Sequence, residues 1–266
     1  MTSPRHNDLP EPGETSDVWA EMRKTTQARI GLGRAGNSLP SRRVLEFQAA
    51  HAAARDAVHD PLDAAAFAGT LADLGIGTPV VVTSQASTRS EYLRRPDLGR
   101  RPADLSEVPC ADAEIGIVIA DGLSPRAVVD HAHGLVAALL DVFDGRYSIA
   151  PPVIATQARV ALGDHIGEAL GVTTVIVIVG ERPGLSVADS LGIYLTHLPR
   201  PGRTDADRNC ISNIHPPDGL NYENAARTTA ALVEGARRLG RSGVALKDTS
   251  RRSLETFDDP GAIDAC

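Results

Sequence analysis

Two stretches of the chain are apolar at almost every position. They are EIGIVIADGLS (114–124) and VTTVIVIVGERPG (172–184), ending on Asp121-Gly122 and Gly180-Glu181. A strand with no polar alternation is buried on both faces, the usual state of a strand in a parallel sheet covered by helices. The segment after the first strand, SPRAVVDHAHGLVAALLDVF (124–143), reads as a helix, with Ser124 suited to the N-cap and Pro125 to the first helical position. LSVADSLGIYLT (185–196) predicts a helix and then a further strand. Tyr222, Ala225, Ala226, Thr229, Leu232, Val233, Ala236 and Leu239 recur at helical spacing and predict an amphipathic helix on a core. Upstream, 41–58 is alanine-rich and follows a candidate N-cap at Ser41; 78–86 holds a short strand-like run; the arginine-rich YLRRPDLGRRP (92–102) reads as a loop.

Alternating strands and helices predict an α/β fold: a parallel, Rossmann-like sheet flanked by helices over residues 102–246. A mainly helical region (18–101) precedes it, with a disordered N-terminus (1–17) rich in Pro, Glu and Ser and a loose tail (247–266). Ligands of such sheets lie beyond the carboxyl ends of the strands. Asp121-Gly122 and Gly180-Glu181 each follow a strand directly, so they are expected on one edge of one sheet and are the first binding candidates.

Composition narrows the partners. The chain has 266 residues, 42% of them hydrophobic, enough for a sizeable core. A formal charge of −7 argues against nucleic acid as the main partner. No apolar run is long enough to span a membrane, and the polar beginning lacks the apolar centre of a secretory signal. Cys110, Cys210 and Cys266 are far apart and form no zinc-type cluster, so reduced thiols in the cytoplasm are expected. His131 and His133 are two apart in a predicted helix and point to different faces, unlike a ligand pair.

ARIGLGRAG (28–36) matches the spacing G-x-G-x-x-G at Gly31, Gly33 and Gly36. A dinucleotide fingerprint needs a strand before the first glycine and a helix starting at the third. Here the upstream residues have helical character, and Pro40 is too close for a helix running from Gly36. A stand-alone nicotinamide oxidoreductase is therefore only an alternative; a tight turn, or a loop whose backbone approaches a ligand or partner, accounts for the glycines.

Several segments together resemble the small (light) subunit of ethanolamine ammonia-lyase: ARIGLGRAG (28–36), YLRRPDLGRR (92–101), ADGLS (120–124), IGEALG (166–171), VGERPGL (179–185), DADRNCISNIHP (205–216) and SGVAL (242–246). The resemblance implies an adenosylcobalamin enzyme that converts ethanolamine to acetaldehyde and ammonia. It implies a large-subunit partner that holds the substrate, and a small subunit, inactive alone, that closes over the cofactor. It leaves open whether the cytoplasmic location expected from the cysteines lies inside a bacterial microcompartment, and it implies cobalt held by the cofactor rather than by this chain. Carried over, the cobalamin contacts fall on Val160, Glu181 and Cys210; Asp121 and Gly122 are added from sheet geometry. An ionised Glu181 accepts hydrogen bonds from the amide groups on a corrin edge. Without the resemblance, Glu181 reads as a surface carboxylate paired with Arg182, Cys210 as a buried thiol and Asp121 as a turn residue. No D-x-H-x-x-G motif is present: Asp164 and His165 are adjacent, and His165 reads as an ordinary helix residue. Ala158, Thr156 and Ala50 stand where the family has glycine, arginine and an acid. A scaffold subunit that no longer contacts cobalamin is the other alternative.

Overall fold

The computed structural model describes residues 19–248, which form two compact units divided after Ala52. The expectations for 1–17 and for most of the tail lie outside the described residues. The first unit holds α1 (Ala20–Lys24), a glycine turn and the start of α2 (Ser41–His59). Gly31, Gly33 and Gly36 have φ of 55°, 78° and 63°, and Ala35 bridges to Ser38 in a tight reversal. A Cβ on Gly31 would lie 2.2 Å from the Trp19 side chain. No strand precedes Gly31 among the described residues, and no helix starts at Gly36, so the glycines serve the turn. Ser41 is the first residue of α2 rather than its cap.

The second unit contains α3 (Ala64–Thr70), β1 (Val80–Thr83), α4 (Arg89–Arg94), β2 (Ile115–Ala120), α5 (Pro125–Ala127) and, after a π-helical turn, α6 (His133–Phe143). It continues with β3 (Val153–Thr156), α7 (Leu162–Leu170), β4 (Thr174–Gly180), β5 (Leu191–His197), β6 (Asn209–Ile214) and α8 (Tyr222–Leu239). The sheet order is β1-β3-β2-β4-β5-β6. The expected α/β sheet flanked by helices is present, but it is mixed: the first four strands are parallel, β5 runs antiparallel to β4, and β6 runs antiparallel to β5. The helix expected after Leu185 does not form, and β5 returns directly along β4 with Leu191 opposite Gly180. A parallel return needs a crossover of about a dozen residues or more, usually a helix, and 181–190 is too short to supply it. Part of the predicted 92–102 loop is also helical, because Thr88 caps α4 by accepting from the Glu91 amide at 3.1 Å.

Alternate residues of the central strands serve two cores. Ile115, Ile117 and Ile119 pack with α6, α8 and α3, while Val118, Ala120, Val175 and Val177 pack with α7 on the other face. The chain leaves β2 to one side to form β3, then crosses back past it to form β4. Strand order therefore reverses at β2, where a crevice opens beyond the strand ends. α8 buries Ala225, Ala226, Thr229, Leu232, Val233 and Ala236 as its spacing predicts, whereas Leu239 is exposed beside the left-handed Gly240 cap.

His197, at the end of β5, is buried, and its Nδ1 shares a hydrogen bond of 2.9 Å with the Thr174 hydroxyl. Burial, then the charges of Arg237 and Arg203, lower its pKa. The unfolded chain then binds a proton more readily than the native one, so stability falls as pH drops from about 6.5 through the folded value. In denaturant unfolding at pH 7.5 and 5, His197→Gln is expected to lose less stability on acidification than the parent. An equal loss would place the acid-sensitive group elsewhere.

Candidate functional site

The carboxyl ends of β2, β3 and β4 carry three loops that meet at the crevice. The loops after β2 and β4 interlock through backbone. The Leu123 amide donates to the Gly180 carbonyl at 2.9 Å, and the Ser124 hydroxyl donates to the Ala188 carbonyl at 2.8 Å. Gly122, at φ 56°, allows this approach, since a Cβ there would lie 2.2 Å from the Gly180 carbonyl oxygen. Gly180 is equally constrained: its Cβ would meet the Ser124 carbonyl oxygen at 2.1 Å. Asp121 and Glu181 therefore stand on one rim. An open cleft of about 430 Å³ lies between the loops, and Gly122, Val160, Glu181, Arg182 and Tyr194 are among its lining residues.

Beneath the floor lies a charged cluster. Asp121, 1% exposed, accepts from Arg89 Nη1 at 3.1 Å and from the Gln157 and Ala158 amides at 2.8 and 2.9 Å. Burial raises its pKa, while Arg89 and the amides pull the other way. Arg89 also donates to the carbonyls of Val58 and Gly122 at 2.8 and 2.9 Å. Asp121 thus underlies the rim and fixes the β3–α7 loop, a longer reach than the turn before Ser124. Tyr92 is fully buried and donates to the Ala158 carbonyl at 3.0 Å. Its ring carries the Arg159 guanidinium at 4.5 Å and that of Arg89 at 4.9 Å. Gly99 touches this assembly closely: a Cβ there would lie 2.8 Å from the Tyr92 ring.

On the far wall, Glu181 Oε2 accepts from the Ser190 hydroxyl at 2.7 Å and the Asn213 amide at 3.2 Å. Its Oε1 takes no part in either bond. No ion pair joins it to Arg182 among the described residues, so the sequence's surface-pair alternative does not form. Cys210 is exposed rather than a core thiol and lies opposite Tyr194 across β5 and β6. Burial, then Cys210, pushes the Tyr194 phenol up to about 12, so the hydroxyl keeps its proton.

The structure thus gathers Gly122, Val160 and Glu181 on one cleft, with Cys210 beside its Tyr194 wall and Asp121 beneath its floor. The sequence reading missed Arg89, Tyr92 and Arg159. The available signals were the arginine- and tyrosine-bearing 89–102 segment for Arg89 and Tyr92 and, for Arg159, its place beside Val160 in a stretch that resembles the family. His131 and His133 face different partners, the Tyr222 hydroxyl at 2.8 Å and Asp73 at 3.1 Å. Among the described residues no cluster of His, Cys, Asp or Glu is placed to hold a metal ion, and no helix is long and apolar enough to cross a membrane.

A family model described as the ethanolamine ammonia-lyase light chain matches residues 16–247. The ethanolamine ammonia-lyase small subunit of Rhodococcus erythropolis is 71% identical over 235 residues, covering 88% of this chain and 91% of that protein. The small subunit of Xanthomonas campestris pv. campestris is 48% identical over 248 residues, covering 90% of each chain. That of Pseudomonas syringae pv. tomato is 42% identical over 268 residues, covering 97% of this chain and 93% of its own.

Proposed function

Because the chain belongs to the ethanolamine ammonia-lyase light-chain family, we propose that its rim cleft closes over adenosylcobalamin at an interface with the large subunit. The observation that carries this reading is the meeting of Gly122, Val160 and Glu181 on one open cleft at the sheet's switch point. The residues fit a corrin edge. Glu181 Oε1 is an acceptor for corrin amides, Val160 supplies apolar contact, and the bare Gly122 backbone lets a flat ligand approach. Cys210 presents a small polarizable group beside Tyr194. Asp121 acts from below, by holding the 157–158 backbone that leads to Val160. Adenosylcobalamin supplies the radical chemistry that converts ethanolamine to acetaldehyde and ammonia. This chain's part is to orient the cofactor and exclude water; the substrate is held mainly by the large subunit, in the cytoplasm or a microcompartment within it.

The test is reconstitution. Mixed with the large subunit and adenosylcobalamin, the chain is expected to retain a corrinoid absorption spectrum and to release ammonia from ethanolamine, and neither chain does so alone. An assembled pair that holds no corrinoid would instead support the scaffold alternative. Glu181→Ala is expected to weaken cofactor retention about tenfold or more, the worth of one charge-assisted hydrogen bond of about 1.5–3 kcal/mol. The fold should tolerate the change, because the Asn213 amide is exposed and can turn to water. Unchanged retention with lowered stability would make Glu181 a structural residue.

A further inference from the structure

The cleft holds more positive charge than its neighbours neutralise. Asp121 is fully engaged by Arg89 and two backbone amides. That leaves Arg159, which forms no ion pair with an acidic residue among the described residues. Its Nε is buried without a hydrogen-bond partner, while its backbone is pinned by the Gly99 carbonyl at 2.8 Å. Its guanidinium rests on the Tyr92 ring, which itself cannot turn away because its hydroxyl is tied to Ala158. A cation held this firmly at the edge of an open cleft, with no acidic partner and no hydrogen bond to its Nη groups among the described residues, is prepared for an anion that meets its Nη edge, since Nε is closed off from solvent. Arg182, exposed on the opposite loop and also lining the cleft, forms no ion pair among the described residues either.

We propose that Arg159, assisted by Arg182, forms an anion subsite of the cleft that takes a phosphodiester. A planar guanidinium matches two phosphate oxygens at once, and a phosphodiester keeps its single negative charge at any physiological pH. This proposal rests on the cofactor reading above, since cobalamin carries one such group in the arm linking its nucleotide to the corrin. Arg159 then selects for the complete cofactor over a corrinoid lacking that arm, whereas Glu181 and Val160 address the corrin edge common to both.

The experiment compares two corrinoids on the reconstituted complex with the large subunit. Adenosylcobalamin has the phosphodiester; adenosylcobinamide has the same corrin without it. Arg159→Met is expected to weaken adenosylcobalamin binding about ten- to hundredfold and to leave adenosylcobinamide binding within about twofold. Arg159→Lys, which keeps the charge but not the fork, is expected to fall between, and it carries the test if the Met variant fails to assemble. Inorganic phosphate should compete with adenosylcobalamin in the parent more than chloride of equal ionic strength does, and this difference should vanish in the variant. Equal losses for both corrinoids, or no loss for either, would overturn the anion subsite while leaving the cofactor reading intact. A parent complex that binds neither corrinoid would overturn both.

Discussion

Asp121→Ala is expected to destabilise the chain by about 3–5 kcal/mol, the range for removing one partner of a buried ion pair. The deletion would leave Arg89, 8% exposed, without its counter-charge, and the Gln157 and Ala158 amides without their acceptor. A domain's whole stability is about 5–15 kcal/mol, so the loss should appear as a large drop in denaturation midpoint. Asp121→Asn keeps the shape and one acceptor oxygen, which can still serve Arg89 and the Gln157 amide, but sets an NH2 against the Ala158 amide and removes the charge, so an intermediate loss is expected. The functional loss should exceed the loss of fold. Once the 157–158 backbone is released, Val160 and Arg159 are no longer held at the cleft, and corrinoid retention should fall even at temperatures where the variant remains native. A variant within about 1 kcal/mol of the parent would mean that water reaches Arg89 and that the floor is not a closed assembly.

What the sequence revealed follows from the range over which each signal acts. β2 and β4 are legible because burial on both faces strips them of polar positions, and α8 because one face alone is buried. β3 is only four residues long behind Pro151 and Pro152, and β6, NCISNI, is a partly exposed edge with polar residues, so neither leaves a strong pattern. The direction of β5 was written in the length of 181–190 rather than in its composition, which resembled a helix start. The rim itself is legible: strand ends in an α/β sheet set Asp121 and Glu181 on one edge whatever their contacts. The roles within it are not. Asp121 answers to Arg89, thirty-odd residues earlier, and to backbone amides that any residue type would supply. No local pattern encodes such partners, and for the same reason the stacking of Arg159 on Tyr92 could not be read from spacing.

A second buried pair sets the outer wall. Asp164, in the first turn of α7, meets Arg208, just before β6, with side-chain exposures of 3% and 2%. Asp164→Ala is expected to cost about 3–5 kcal/mol, because Arg208 would retain only the Arg203 carbonyl at 3.1 Å and the solvent-exposed Asp205 at 3.3 Å. Replacing both, as Asp164→Leu with Arg208→Met, should cost far less than the two single changes added together, since neither charge is then stranded. The pH dependence gives a separate check. Burial, opposed by Arg208, pushes the Asp164 carboxyl up to about 6. Its folded pKa exceeds the unfolded one, so its contribution is fully present below about pH 3.9 and is lost as pH rises through about 6. Arg208→Met removes the opposing charge, so this decline should extend to higher pH and reach a larger total, whereas Asp164→Ala should lack it. Because α7 follows Val160 and β6 pairs with β5 behind Tyr194, the pair ties the Val160 side of the cleft to the strand that backs its Tyr194 wall. Single variants should therefore lose corrinoid retention along with stability, and the double variant should regain both. Additive losses in the double variant would show that the two side chains act independently and that the walls are joined elsewhere.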